Sequence, residues 1–163
     1  MGGAAFLGPG DQGTPRAVAN ALAGAGGLAQ FSLNTPAADI ALPAALGPIL
    51  GSSNITVPQV PRSEGWMGLV YCFFRIDATL ADTVIVRLDV AGPGAEWDAV
   101  VGAASVTCGC LVVSKSLAVG SHGVILYGQS LVGGGNAVLK KLSGGGNPAS
   151  GIGYLLLAAG LVP

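Results

Sequence analysis

The chain reads as an all-β domain behind an extended, mostly irregular N-terminal arm. Three observations carry this reading. Apolar runs of strand length recur between about residues 51 and 163, punctuated by Gly, Pro and Asn, the rhythm of a sandwich or barrel. Thr83 to Val90 alternates, with Val84, Val86, Leu88 and Val90 on one side and Thr83, Ile85, Arg87 and Asp89 on the other, the period of a strand. Gly, Ala and Pro fill 27 of the first 50 positions, a composition that cannot build a core.

Taken in order, the arm spans residues 1–50. Pro9, Pro15, Pro36, Pro43 and Pro48 interrupt any long regular element there. One short helix is expected from Pro15 or Arg16 to Ala25, because Thr14-Pro15 supplies a cap and a first-turn proline. Leu33 to Ile49 reads as extended chain. Phe6, Leu7, Phe31 and Ile40 are the expected arm anchors, apolar side chains that need a neighbour to cover them. The domain proper, 51–163, holds about eight strands: Asn54–Val60, Trp66–Ile76, Thr83–Val90, Trp97–Val101, Ser105–Ser114, Gly120–Gln129, Asn136–Leu142 and Gly151–Ala159. Gly133–Gly135 and Gly144–Gly146 are the hairpin loops between the last three.

Two of these strands, Trp66–Phe74 and Ile152–Ala159, are apolar on both faces. A simple sandwich strand buries one face and wets the other. If the two lie side by side, one sheet forms a subunit interface. The charge count agrees. Charged residues are 9% of the chain, where about 25% is usual. Fifteen charged side chains are too few to cover the surface, so burial against other chains is expected.

The same arithmetic excludes partners. A net charge of -1 offers no basic excess for phosphates, so no nucleic acid is expected. The run from Gly65 stops at Arg75 and the C-terminal run from Gly151 is 13 residues, both short of a membrane span, so no membrane partner is expected. The first ten residues carry no positive segment and contain Pro9, so no secretory signal is expected there.

The strand rhythm over about residues 50–160 resembles the jelly roll of the tumour-necrosis-factor and complement-globular-head type. The likeness rests on Asn54-Ile-Thr-Val-Pro58 followed by Gly65 to Arg75, on Thr83–Val90 with Gly92-Pro93-Gly94, on Leu117 to Tyr127, and on the closing run Gly151 to Ala158. The resemblance implies an eight-stranded jelly-roll sandwich and a homotrimer with that closing strand in its interface. It also implies two settings, secreted signalling proteins and the virions of tailed bacteriophages. The apolar arm, without a collagen-like Gly-X-Y period, favours the virion.

Catalytic, metal and cofactor chemistry find little raw material. His122 could join a carboxylate and a hydroxyl in a hydrolase, but no Gly-x-Ser-x-Gly elbow occurs, and no catalytic residue is assigned. Asp77, Asp82, Asp89, Glu96 and Asp98 show no calcium-loop spacing and read as surface carboxylates. Cys72, Cys108 and Cys110 read as buried, inert thiols, with Cys108 and Cys110 on one strand face. No metal and no cofactor is expected. Trp66, Trp97, Tyr71, Tyr127 and Tyr154 are the aromatics available to stack on a sugar.

The expectation is therefore a capsid decoration or cement protein that trimerises and stabilises a bacteriophage head. Its partners are itself and the major capsid protein or another virion protein, and its place is the capsid surface. The expected trimer interface is Trp66, Leu69, Tyr71, Phe73, Tyr154, Leu155 and Leu157. The alternative is a head- or tail-fibre domain that binds a host receptor or glycan.

Overall fold

The computed structural model describes residues 29–51, 55–57 and 63–161. Strands dominate them: β1 (Ala29–Asn34), β2 (Ile40–Ala41), β3 (Gly47–Gly51), β4 (Ile55–Val57), β5 (Ser63–Ala78), β6 (Asp82–Val90), β7 (Ala95–Val101), β8 (Ser105–Leu117), β9 (Gly120–His122), β10 (Val124–Ser130), β11 (Ala137–Leu139) and β12 (Gly151–Leu161). The first sheet runs β1-β12-β5-β8, with β11 and β2 continuing beside the last turn of β5. The second runs β3-β10-β6-β7. Every pairing is antiparallel. The chain crosses between sheets so that β12 returns between β1 and β5, and β10 returns between β3 and β6. That interleaving is the jelly roll of eight principal strands.

The eight strands differ from the expected eight at both ends of the count. The boundary at residue 50 is corrected: β1, β2 and β3 lie in the segment read as arm and are part of both sheets. Prolines hid them. Pro48 sits in β3, an edge strand, where a missing N–H costs no ladder bond, and the β3–β10 register shifts beside it. β1 supplies backbone partners to β12 from Leu157 to Ile152, which would otherwise be an unpaired edge. The expected strand Gly120–Gln129 divides at Gly123, because β9 pairs with β4 while β10 pairs with β3 and β6. The expected helix at 15–25 lies outside the described residues.

The core lies between the sheets. From the first come Trp66, Val70, Cys72, Phe74, Ile76, Ile152 and Leu156; from the second, Val84, Val86, Leu88, Val90, Leu126 and Leu50. Phe74 meets Trp97 edge-on at 5.1 Å between ring centres, tying the sheets together. Gly109 makes room for that pair: a Cβ there would lie 2.3 Å from Phe74 Cζ.

One end of the sandwich hangs on a buried carboxylate. Asp82 is 3% exposed. Its Oδ2 accepts from Ser130 Oγ at 2.5 Å and Asn136 Nδ2 at 2.9 Å, and its Oδ1 from the Val132 N–H at 3.0 Å. Burial pushes its pKa up, but these bonds and the Thr83 N–H outweigh that and hold it below the usual 3.8. The contribution is therefore present above about pH 4 and is lost as pH falls through the lowered value.

Two outcomes follow. Gly109→Ala overpacks the Phe74 ring and costs about 1–3 kcal/mol in urea unfolding. Asp82→Ala removes the acceptor of four donors, Ser130 Oγ, Asn136 Nδ2 and the Val132 and Thr83 N–H groups, and costs about 3 kcal/mol at pH 7, a deficit that shrinks in acid because the wild type loses the same bonds there.

Candidate functional site

Alternation along β5 sorts its residues into two faces. Trp66, Val70, Cys72, Phe74 and Ile76 point inward and are buried. Met67, Leu69, Tyr71 and Phe73 point outward. The register extends that outer face to both neighbours. Leu155 pairs with Leu69 and Leu157 with Met67 on β12, while Cys110 pairs with Phe73 and Val112 with Tyr71 on β8. Met67 and Leu69 are 37% and 36% exposed and Val112 56%. From Met67 to Phe73 this face carries no charge. Only at its far end does Arg75 appear, paired to Asp77 at 2.8 Å.

The face is low as well as apolar. Tyr71 lies over Gly153, where a Cβ would come within 2.3 Å of its ring, and Phe73 lies over Gly151, at 3.0 Å. Glycines under aromatic rings let the rings lie down on the neighbouring strand. Partial burial raises the Tyr71 pKa.

Of the seven residues expected at an interface, Leu69, Tyr71, Phe73, Leu155 and Leu157 fall on this face. Trp66 and Tyr154 are corrected. They sit at the opposite phase, Trp66 buried at 3% and Tyr154 packed on the core, because they occupy the inward positions of β5 and β12. Met67, Val112, Gly151 and Gly153 fall on the same face, outside the expected set. The glycines at alternate positions of an otherwise apolar strand were the available signal. Among the arm anchors, Ile40 is in β2 and packs against the core, and Phe31 is in β1 opposite Leu155, so both belong to the sandwich. Phe6 and Leu7 lie outside the described residues.

The outer face of the second sheet contrasts with the first. It carries Arg87, Asp89, Glu96 and Asp98, with Tyr127 and Gln129 beside them. Arg87 stands over the Tyr127 ring at 4.9 Å and lies 3.0 Å from Asp89 Oδ1 through Nε. That ring is therefore covered. Trp97 is turned inward onto Phe74, so Trp66, Trp97 and Tyr154 are not available to stack on a sugar. Tyr71 is half-exposed, but its neighbours are Leu155, Leu69 and Val112, without the polar groups that orient a sugar.

The remaining candidates are structural. His122 Nε2 donates to the Ala118 carbonyl at 2.7 Å. Among the described residues no group of three or more His, Cys, Asp or Glu could hold a metal ion. Asp39, Asp77, Thr79, Ser105 and Lys140 line an open hollow of about 460 Å³, whose charges are already paired as Lys140–Asp39 and Arg75–Asp77. Cys72 is buried, and burial pushes its thiol up to about 12. Cys108 and Cys110 are exposed, which corrects their expected burial: they share one strand face, and it is the outer one. No helix among the described residues is long and apolar enough to cross a membrane.

No family model matches the chain, and no curated protein sequence does. Solved structures do. A tumour-necrosis-factor-like Eiger from S. frugiperda is 13% identical, covers 84% of this chain and 96% of its own, and superposes with a TM-score of 0.46. The C-terminal CBM6 domain of a marine laminarinase from Zobellia galactanivorans is 9% identical over 81% and 98% of the two chains, with a TM-score of 0.35. A family 35 carbohydrate-binding module from Clostridium thermocellum is 16% identical over 80% and 98%, at 0.33. The class assigned to the chain, an all-β jelly-roll domain, rests on its own strand order.

In the folded chain Cys72 stays unmodified by iodoacetamide at pH 8 and reacts once denaturant is added; mass spectrometry of the tryptic peptides reads both states.

Proposed function

We propose that the chain is a structural virion protein. It closes into a homotrimer through the outer face of β1-β12-β5-β8 and decorates and stabilises a bacteriophage head as a capsid cement protein. The observation that carries the self-association is that chargeless face, with Met67, Leu69, Phe73, Leu155, Leu157 and Val112 at the surface of a chain that has few charges to spare. A second copy is the partner it fits, because two uncharged apolar surfaces meet without like-charge repulsion or stranded polar groups. Each Å² covered contributes roughly 25 cal/mol, the term that would resist pressure from within a filled head.

The number three and the virion setting are supported by the sequence resemblance and by the arm. Residues 1–28 hold only Asp11 and Arg16 as charges and are rich in Gly, Ala and Pro. A segment of this composition has no core of its own to build, which favours the major capsid protein or another virion protein as its partner. The glycan- or receptor-binding alternative is weaker, since the exposed aromatic rings are either covered by Arg87 or surrounded by aliphatic groups.

Light scattering tests the reading. The wild-type chain is expected as a whole multiple of three chains of 15.9 kDa, with or without residues 1–28. Leu69→Asp combined with Leu155→Asp is expected as a monomer with an unchanged circular dichroism spectrum. A wild-type monomer contradicts the trimer.

A further inference from the structure

Ten large apolar side chains are exposed among the described residues. Met67, Leu69, Val106 and Val112 belong to the outer sheet face. Four others, Leu80, Val100, Leu131 and Val132, gather at one end of the sandwich, 53–82% exposed. The backbone brings them together. The Leu131 N–H donates to the Thr83 carbonyl at 3.1 Å, and Val100 is the register partner of Thr83. The Leu80 N–H donates to Asn136 Oδ1 at 2.8 Å, and Asn136 reaches Asp82 in turn. The buried Asp82 thus fixes a tip whose own polar groups are satisfied and whose outward side chains are apolar.

We propose that this tip is a second self-association surface, through which two assembled rings dock end to end. The inference rests on the ring proposed above. Residues 79–81, 99–107 and 131–138 contain no charged residue and no Trp or Tyr. A lipid surface is usually met with Lys, Arg, Trp or Tyr, and a sugar with an aromatic ring and hydrogen-bonding groups, so neither matches this tip. A copy of the same tip does, because an uncharged patch can face itself about a two-fold axis without repulsion. Area sets the stoichiometry. Four such side chains expose on the order of 100 Å² each, so one tip offers about half of the roughly 800 Å² per partner of a stable complex. One chain cannot hold another this way. A ring of three aligns three tips on one side and passes that threshold. Among the described residues, the first residue of β1 and the last residues of β12 lie at the opposite end from this tip, with Ala29 opposite Leu157 and Leu161 opposite Ser63.

Sedimentation equilibrium of the full chain decides it, at about 0.1 M and about 1 M salt so that screened charge contacts are told apart from apolar ones. The expected wild type is a double ring at both salt concentrations. Leu131→Lys with Val100→Lys halves its mass to a single ring, and Leu131→Asn with Val100→Asn, a milder pair, does so if the first fails to fold. A wild type already at single-ring mass overturns the tip contact and leaves the ring reading standing; the tip would then serve another partner. Doubling that survives both tip variants, or that salt abolishes, also overturns it. A wild-type monomer removes the ring and the tip contact together.

Discussion

Strand β5 is the constraint on which the structure depends. It is 16 residues long, pairs along its length with β8 on one side and with β12 and β11 on the other, and is apolar on both faces from Trp66 to Phe74. Its inward residues meet the second sheet and make a complete core. Among the described residues, none covers its outward side chains from Met67 to Phe73 as the second sheet covers the inward ones, and Met67 and Leu69 stay 37% and 36% exposed. A central strand cannot turn its second face away, because period-two alternation commits every other side chain to it. Under the trimer proposed above, a second copy of the chain covers that face.

The two sheets divide the labour. The outer face of β3-β10-β6-β7 carries Arg87, Asp89, Glu96 and Asp98, four of the chain's fifteen charged side chains, and can remain in water. The outer face of β1-β12-β5-β8 keeps the Arg75–Asp77 pair at its far end and two serines of β8, Ser114 and Ser116; from Met67 to Phe73 the rest is apolar groups and thiols. The 9% charge content is then not a shortage spread evenly over the surface. It reflects one outer sheet face that carries four charges and another whose stretch from Met67 to Phe73 carries none. Glycine adjusts the contact surface, since Gly151 and Gly153 let Phe73 and Tyr71 lie low where side chains on β12 would have lifted them.

Much of this was legible in the sequence. The strands from residue 63 onward follow from branched and aromatic runs between glycines. The doubly apolar character of Trp66–Phe74 and Ile152–Ala159 pointed to adjacent strands, and β5 and β12 are paired in register. What was not legible has physical causes. Which phase of an apolar strand faces inward is undetermined when both phases are apolar, so Trp66 and Tyr154 were placed on the wrong side. Strands β1 to β3 are short, and β3 is an edge strand that tolerates proline, so composition disguised them as arm. The Asp82 hub joins residues from 82 to 136, and no local pattern announces so distant a set of hydrogen bonds.

The most direct measurement concerns Cys110, which faces outward opposite Phe73 on β8, at the edge of the sheet face proposed for contact. Its alkylation rate in the wild type is to be compared with that in the Leu69→Asp, Leu155→Asp chain. If copies cover the face, Cys110 reacts slowly in the wild type and at least tenfold faster, on the order of 1.4 kcal/mol of protection, in the variant. Equal rates in the two proteins would show the face open to solvent and contradict the account.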